Sequence, residues 1–181
     1  MKRLVAALIL VTVLAFAAAG CGGSNASASE QWAGDVCSAV SDWQGQIEKS
    51  ATNIRDQVQS PDANTLEAIK DEITAAADAS IDLADNLKSA DPPNTDAGKQ
   101  AQKEVDALAD QVDQTVDKTR ETIEGLPENA SLTEVAAAVA PLLPSIQALV
   151  TNVSASVKSL QERGSELKEG FDKADSCEKF R

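Results

Sequence analysis

Three times in this chain an apolar stripe runs for some eight helical turns and then meets proline. Val36, Val40, Trp43, Ile47, Ala51, Ile54 and Val58 step by 4, 3, 4, 4, 3 and 4, which puts them on one face of a helix. This predicts a helix over 30–59, ended by Ser60-Pro61-Asp62. A second helix is predicted over 63–90. Its stripe is Leu66, Ile69, Ile73, Ala76, Ser80, Ala84 and Leu87, and Asp91-Pro92-Pro93-Asn94 stops it. A third is predicted over 96–126, capped by Thr95 or Asp96. Val105, Leu108, Val112, Val116, Thr119, Ile123 and Leu126 line one of its faces, and Gly125 with Pro127 closes it.

The last stretch, 131–176, is apolar at helical spacing throughout, but an interior proline breaks or kinks a helix. Pro141 and Pro144 therefore divide it. A short helix is predicted over 131–140, with Ser131 as cap and Glu134 completing a capping box. A long one follows over 144–175, with Ile146, Leu149, Val153, Val157, Leu160, Gly164, Leu167 and Phe171 as its seam. Four helices of similar length, about 45 Å each, joined by short turns, give the expected fold. It is all-α, an antiparallel up-down-up-down four-helix bundle with a short extra helix before the last helix.

The chain begins with a different pattern. Lys2 and Arg3 precede an apolar run over 4–17, and Ala18, Ala19 and Gly20 stand directly before Cys21. Cations, a short apolar run and small residues read as an export signal. With cysteine at the first mature position, the run resembles the lipobox of bacterial lipoproteins, although Ala18 stands where that family usually has Leu. The resemblance implies cleavage before Cys21, a diacylglycerol on its thiol and residence at the outer face of the cell membrane. Two other readings stay open: cleavage after Ala19 by an ordinary signal peptidase, or an uncut membrane helix, for which the run is slightly short. The expected organisation is a signal over 1–20, a Gly/Ser tether over 21–29 and a helical domain over 30–181.

Without residues 1–20 the 16 basic residues become 14 against 29 acidic, a net charge of −15. Phosphate binding needs a basic face, so nucleic acid is not an expected partner. Broad docking on anionic lipid is disfavoured for the same reason, which leaves membrane contact to Cys21. Besides Cys21 the chain has Cys37 and Cys177. An even pair in an exported chain reads as a disulfide. The expected bundle places the start of its first helix beside the end of its last, which is where these two cysteines fall.

The chain contains no histidine. This removes His-based triads and the usual zinc and di-iron sites. No Gly-rich phosphate loop follows a strand. No catalytic residue, cofactor or metal is expected, and the chain reads as a non-enzyme. Asp78, Asp82 and Asp85 form one acidic stripe, and Asp106, Asp110, Asp113 and Asp117 another. These suit a solvated face better than a calcium site, which wants loop oxygens and a turn glycine. Among apolar surfaces the best candidate is 132–144, LTEVAAAVAPLLP. Its Leu132, Val135, Val139, Leu142 and Leu143 would either dock a partner protein or cap the open end of their own bundle. Trp43 reads as core, and Trp32 as packing near the disulfide. Gly164 and Gly170 could leave room for a small apolar ligand between the helices, which is a second functional reading.

The segment WAGDVCSAVSDW over 32–43, with DSCEKF near the end, resembles small exported lipoproteins of actinobacteria. Those proteins carry a Trp-x-x-x-x-Cys segment after a lipobox and a Ser/Gly tether. The resemblance implies a helical mature domain and no known activity. Together these features suggest a lipid-anchored accessory or protein-binding module of the cell envelope.

Overall fold

The computed structural model describes residues 26–60, 62, 64–127 and 130–181, without the side chain of Leu143. The expected signal over 1–20 and Cys21 lie outside the described residues. The described chain is all-helical: α1 Ala28–Gln59, α2 Thr65–Ser89, α3 Asp96–Glu124, α4 Leu132–Val139, α5 Leu143–Gln161 and α6 Ser165–Lys173, then a 3-10 helix over Asp175–Phe180.

Helix α1 begins two residues earlier than its stripe predicts. Ser27 caps it by accepting from the Glu30 amide, and this satisfies one of the unpaired amides at a helix start. Thr95 caps α3 through the Gly98 amide. Ser131 and Glu134 form the expected capping box on α4.

The last predicted helix is not continuous. It breaks over Glu162-Arg163-Gly164, giving α5 and α6. The Glu162 amide closes α5 on the Ser159 and Leu160 carbonyls, and α6 starts anew at Gly164. The chain then doubles back, because Gln161 Nε2 donates to the Phe180 carbonyl at 3.4 Å. The apolar spacing had run through this break without interruption, since Leu160, Leu167 and Phe171 are all buried.

Helix α1 packs against α2, α2 against α3, α3 against α5, and α1 against α5, α6 and the 3-10 helix. Residue pairs fix the register. Trp43 meets Ser80 and Asn53 meets Glu72. Lys88 meets Asp113 and Asp78 meets Arg120. Gln44 meets Ser154 and Glu104 meets Ser159. Between α1 and α2, and between α2 and α3, rising numbers on one helix meet falling numbers on the next.

The buried side chains form two groups. The larger holds Trp32, Val36, Val40, Trp43, Leu83, Leu87, Val105, Val112, Val153, Leu160, Leu167 and Phe171, among others. Burying each such Val, Leu or Phe contributes about 1.5–3 kcal/mol. Ala33, Ala84, Ala101 and Ala109 are fully enclosed among them, so small residues bring the helices close. The smaller group has Ile69, Ile73, Ala130 and Val135 as its buried members. Val58, the last residue of the α1 stripe, is 52% exposed.

Candidate functional site

The two ends of the domain hold the residues that the sequence singled out. At the first end, Cys37 and Cys177 form the expected disulfide, with Cα atoms 5.1 Å apart across 140 positions. Both are fully buried. Trp32 lies beside them, 1% exposed, with its ring edge-on to Phe171 at 5.9 Å and 84°, a favoured aromatic geometry. Ser29 Oγ donates to Glu166 at 3.0 Å, and Ser176 Oγ donates to the Gly34 carbonyl at 2.9 Å. The Arg181 guanidinium donates to the Phe171 and Ala174 carbonyls, so it serves the C-terminal end of α6, where carbonyls lack helical partners.

Gly170 is used for closeness here. A Cβ on it would stand 2.5 Å from the Ser29 carbonyl oxygen. This glycine therefore lets α6 cross the first turn of α1, and a backbone atom fills the space that a ligand would have needed. Gly164 forms the link between helices. An added Cβ there would stand 3.6 Å from Ala97 Cβ, an ordinary contact.

At the opposite end, α4 packs against α3 and α2, with Ile54 of α1 beside the same apolar group. Val135 is 2% exposed and packs with Ile69, Ile73 and Ala130. Leu132 and Val139 are half-buried against the same group, together with Ile54, Leu66, Ile123 and Leu126. Leu142 instead lines an open groove of about 250 Å³ between α3 and α5, with Gln111, Thr115, Lys118 and Ser145. Leu143 begins α5, and its side chain lies outside the described residues. The structure thus divides the candidate surface. Leu132, Val135 and Val139 turn toward their own helices, and the exposed positions of α4 include Ala136 and Ala137. A second open groove, of about 90 Å³, has Ile73, Ala77 and Ile123 on its floor and Arg120 at its edge.

Asp78 of one acidic stripe, and Asp110 and Asp113 of the other, pair with cations. Lys88 lies 2.7 Å from Asp113 and 3.5 Å from Asp110, and Arg120 lies 2.7 Å from Asp78. The hydrogen bond that Lys88 donates to Asp113 holds its ammonium above its ordinary pKa, with the charges of Asp113 and Asp110 adding to the effect. Arg163 pairs with Glu104, tying the α5–α6 break to α3. These pairs are open to water, which screens them, so they add little to stability. Among the described residues no group of three or more Cys, Asp or Glu side chains is arranged to hold a metal ion.

The Ser131 backbone amide and hydroxyl hold Glu134 below its ordinary pKa, and the hydrogen bond from Lys173 does the same for Glu169.

Sequence reasoning placed Trp43 in the core but missed its partner. The indole N–H donates to Ser80 Oγ at 2.9 Å, and both residues are buried. The available signal was Ser80 standing inside an otherwise apolar stripe. Among the described residues no single helix is long and apolar enough to cross a membrane. Only α4 taken together with 144–161, bent by 43°, has the length and composition. Compared with family models, with curated proteins and with solved structures, the chain finds no match.

Proposed function

We infer that the chain is a lipid-anchored, non-enzymatic lipoprotein, a four-helix bundle on the extracytoplasmic face of the cell membrane that binds or assists another envelope protein. The observation that carries the anchor is the run of small residues ending in Cys21, seven positions before the start of α1. Seven extended steps span about 25 Å, so the domain would sit close to the lipid. The Cys37–Cys177 bond supports an oxidising compartment, because such bonds persist outside the cytosol. The bundle reading rests on the opposed register of neighbouring helices, with α5 and α6 together as the fourth member and α4 as the extra helix.

The end bearing the tether also bears the disulfide, so this end would face the membrane. The α4 end and the Leu142 groove would then face outward. A partner would meet a surface that is acidic overall and has few large apolar side chains.

Labelling with a fatty-acid analogue tests the anchor. Label on the full chain, lost in Cys21→Ser, is expected. An unlabelled full chain would contradict it. Crosslinking in intact cells tests the partner. A specific envelope protein should be recovered, and its capture should fall when Leu142 is replaced by Asp at the open groove. Recovery of no specific partner would count against the binding role.

A further inference from the structure

The segment from Gly164 to Arg181 is built differently from the rest of the domain. It does not continue α5, which ends with its own backbone closure at Glu162. It crosses the first turns of α1, laying Leu167, Phe171 and Phe180 onto the core. Helix α6 has nine residues and no side-chain cap at its start. A helix this short does not hold its shape alone in water, so α6 persists only while it is packed.

The segment is fixed at both ends. Its start is continuous with α5, and its far end is bonded to α1 through Cys37–Cys177. Between these points, opening would need a loop of some dozen residues to bulge away. Without the bond the far end keeps only noncovalent ties, such as those from Ser176 to Gly34 and from Gln161 to Phe180, and once these part the whole segment can swing about the break.

One buried group favours the open state. The Trp32 indole N–H is buried under the segment and has no acceptor among the described residues. A buried donor without a partner has given up its hydrogen bond to water for nothing. Water would satisfy it as soon as the segment lifts. The core side chains of the segment and the disulfide oppose that lift.

We propose that residues 164–181 are a strap latched by the Cys37–Cys177 bond, and that reduction of this bond releases the strap and uncovers Trp32 while α1 to α5 stay folded. The reductant is a dithiol. It supplies two electrons and two protons, the protein disulfide becomes two thiols, and the dithiol becomes a disulfide. Both sulfurs are fully buried, so attack follows a local opening of the strap. The device is independent of the partner proposed above.

The two tryptophans allow the strap and the core to be read separately, because Trp43 lies deep in the core, hydrogen-bonded to Ser80. The Cys37→Ala/Cys177→Ala protein is compared with the oxidised parent, each carrying either Trp43→Phe or Trp32→Phe. Without the bond, Trp32 emission should move to longer wavelength and its acrylamide quenching should rise. Trp43 should change little, and the helical circular dichroism should be largely kept. If the tryptophan variants fail to fold, hydrogen exchange on the full chain reads the same event. Dithiothreitol should then remove protection from amides over 166–180 before those of α2 and α3. Unchanged Trp32 quenching, or unchanged protection over 166–180, would show that the strap stays closed without its latch. Loss of both tryptophan environments together with the helical signal would make the bond a support of the whole fold. Either result overturns the proposal.

Discussion

Where α6 crosses α1, the backbone of Gly170 packs directly on Ser29, two aromatic rings meet edge to face, and a buried disulfide closes the contact. Where α4 covers the other end, an eight-residue helix rests on a group with four buried members and is oriented by one capping box. Both ends solve the same problem, since a set of packed helices leaves apolar side chains uncovered at its tips. One solution uses a covalent tie and close backbone packing. The other uses a little apolar area and local hydrogen bonds. Local stability follows the amount of buried contact, so the first end should be the firmer one and the α4 end the first to open.

The largest effect is expected from Cys37→Ala/Cys177→Ala. Removing the tie across 140 positions should lower global stability by about 2–5 kcal/mol in chemical denaturation. A loss well under 1 kcal/mol would remove the contrast between the ends. Next is Gly170→Ala, which forces a methyl group onto the Ser29 backbone. About 3 kcal/mol should be lost, as in overpacked cores, and the Trp32 environment should change with it. A neutral result would mean that α6 can shift away from α1 at little cost. At the other end, Val135→Ala removes buried methyl groups from a small cluster and should cost about 2 kcal/mol. That loss should appear as earlier exchange of α4 amides, with the disulfide end unchanged. Ser131→Ala should cost about 1 kcal/mol through the lost cap.

The smallest effect is one of pH. Glu134 is held below its ordinary pKa by the Ser131 amide and hydroxyl. A carboxylate with a lowered folded pKa stabilises fully above its unfolded pKa, and that contribution disappears as pH falls through the folded value. Protection of α4 should therefore weaken in acid by more than that of α2. In Ser131→Ala this extra acid sensitivity should shrink. Equal acid sensitivity in parent and variant would remove the capping box from the account.

Much of this arrangement is visible in the sequence, for physical reasons that can be named. The stripes are legible because α2 and α3 bury one face for most of their length, and α1 does so from Trp32 to Trp43. Ser131 and Glu134 are legible because a capping box is local. The Cys37–Cys177 pair is legible because only two cysteines remain after Cys21 and the expected topology brings them together.

The break at Glu162–Gly164 is not legible in the same way. Leu160, Gly164, Leu167 and Phe171 keep helical spacing across it, and periodicity cannot distinguish a straight helix from two helices that both face the core. Gly164 was the only local hint. Its φ of 163° is extended backbone open to any residue, so even that hint is weak. The requirement at Gly170 is nonlocal, because it comes from Ser29 far away in the chain. Helix α1 ends at Gln59 as its stripe predicts, but Val58 keeps the apolar register and is exposed. The partition of 132–143 between cluster and groove depends on which faces α2 and α3 leave open, and no single helix encodes that.

Hydrogen exchange of the oxidised full chain, resolved by segment, compares the two ends directly. Amides over 136–139 of α4 should exchange well before those over 170–173 of α6, with α2 and α3 slowest of all. If α6 exchanges as early as α4 while Cys37 and Cys177 remain bonded, the claim that the disulfide end is the firmer closure is contradicted.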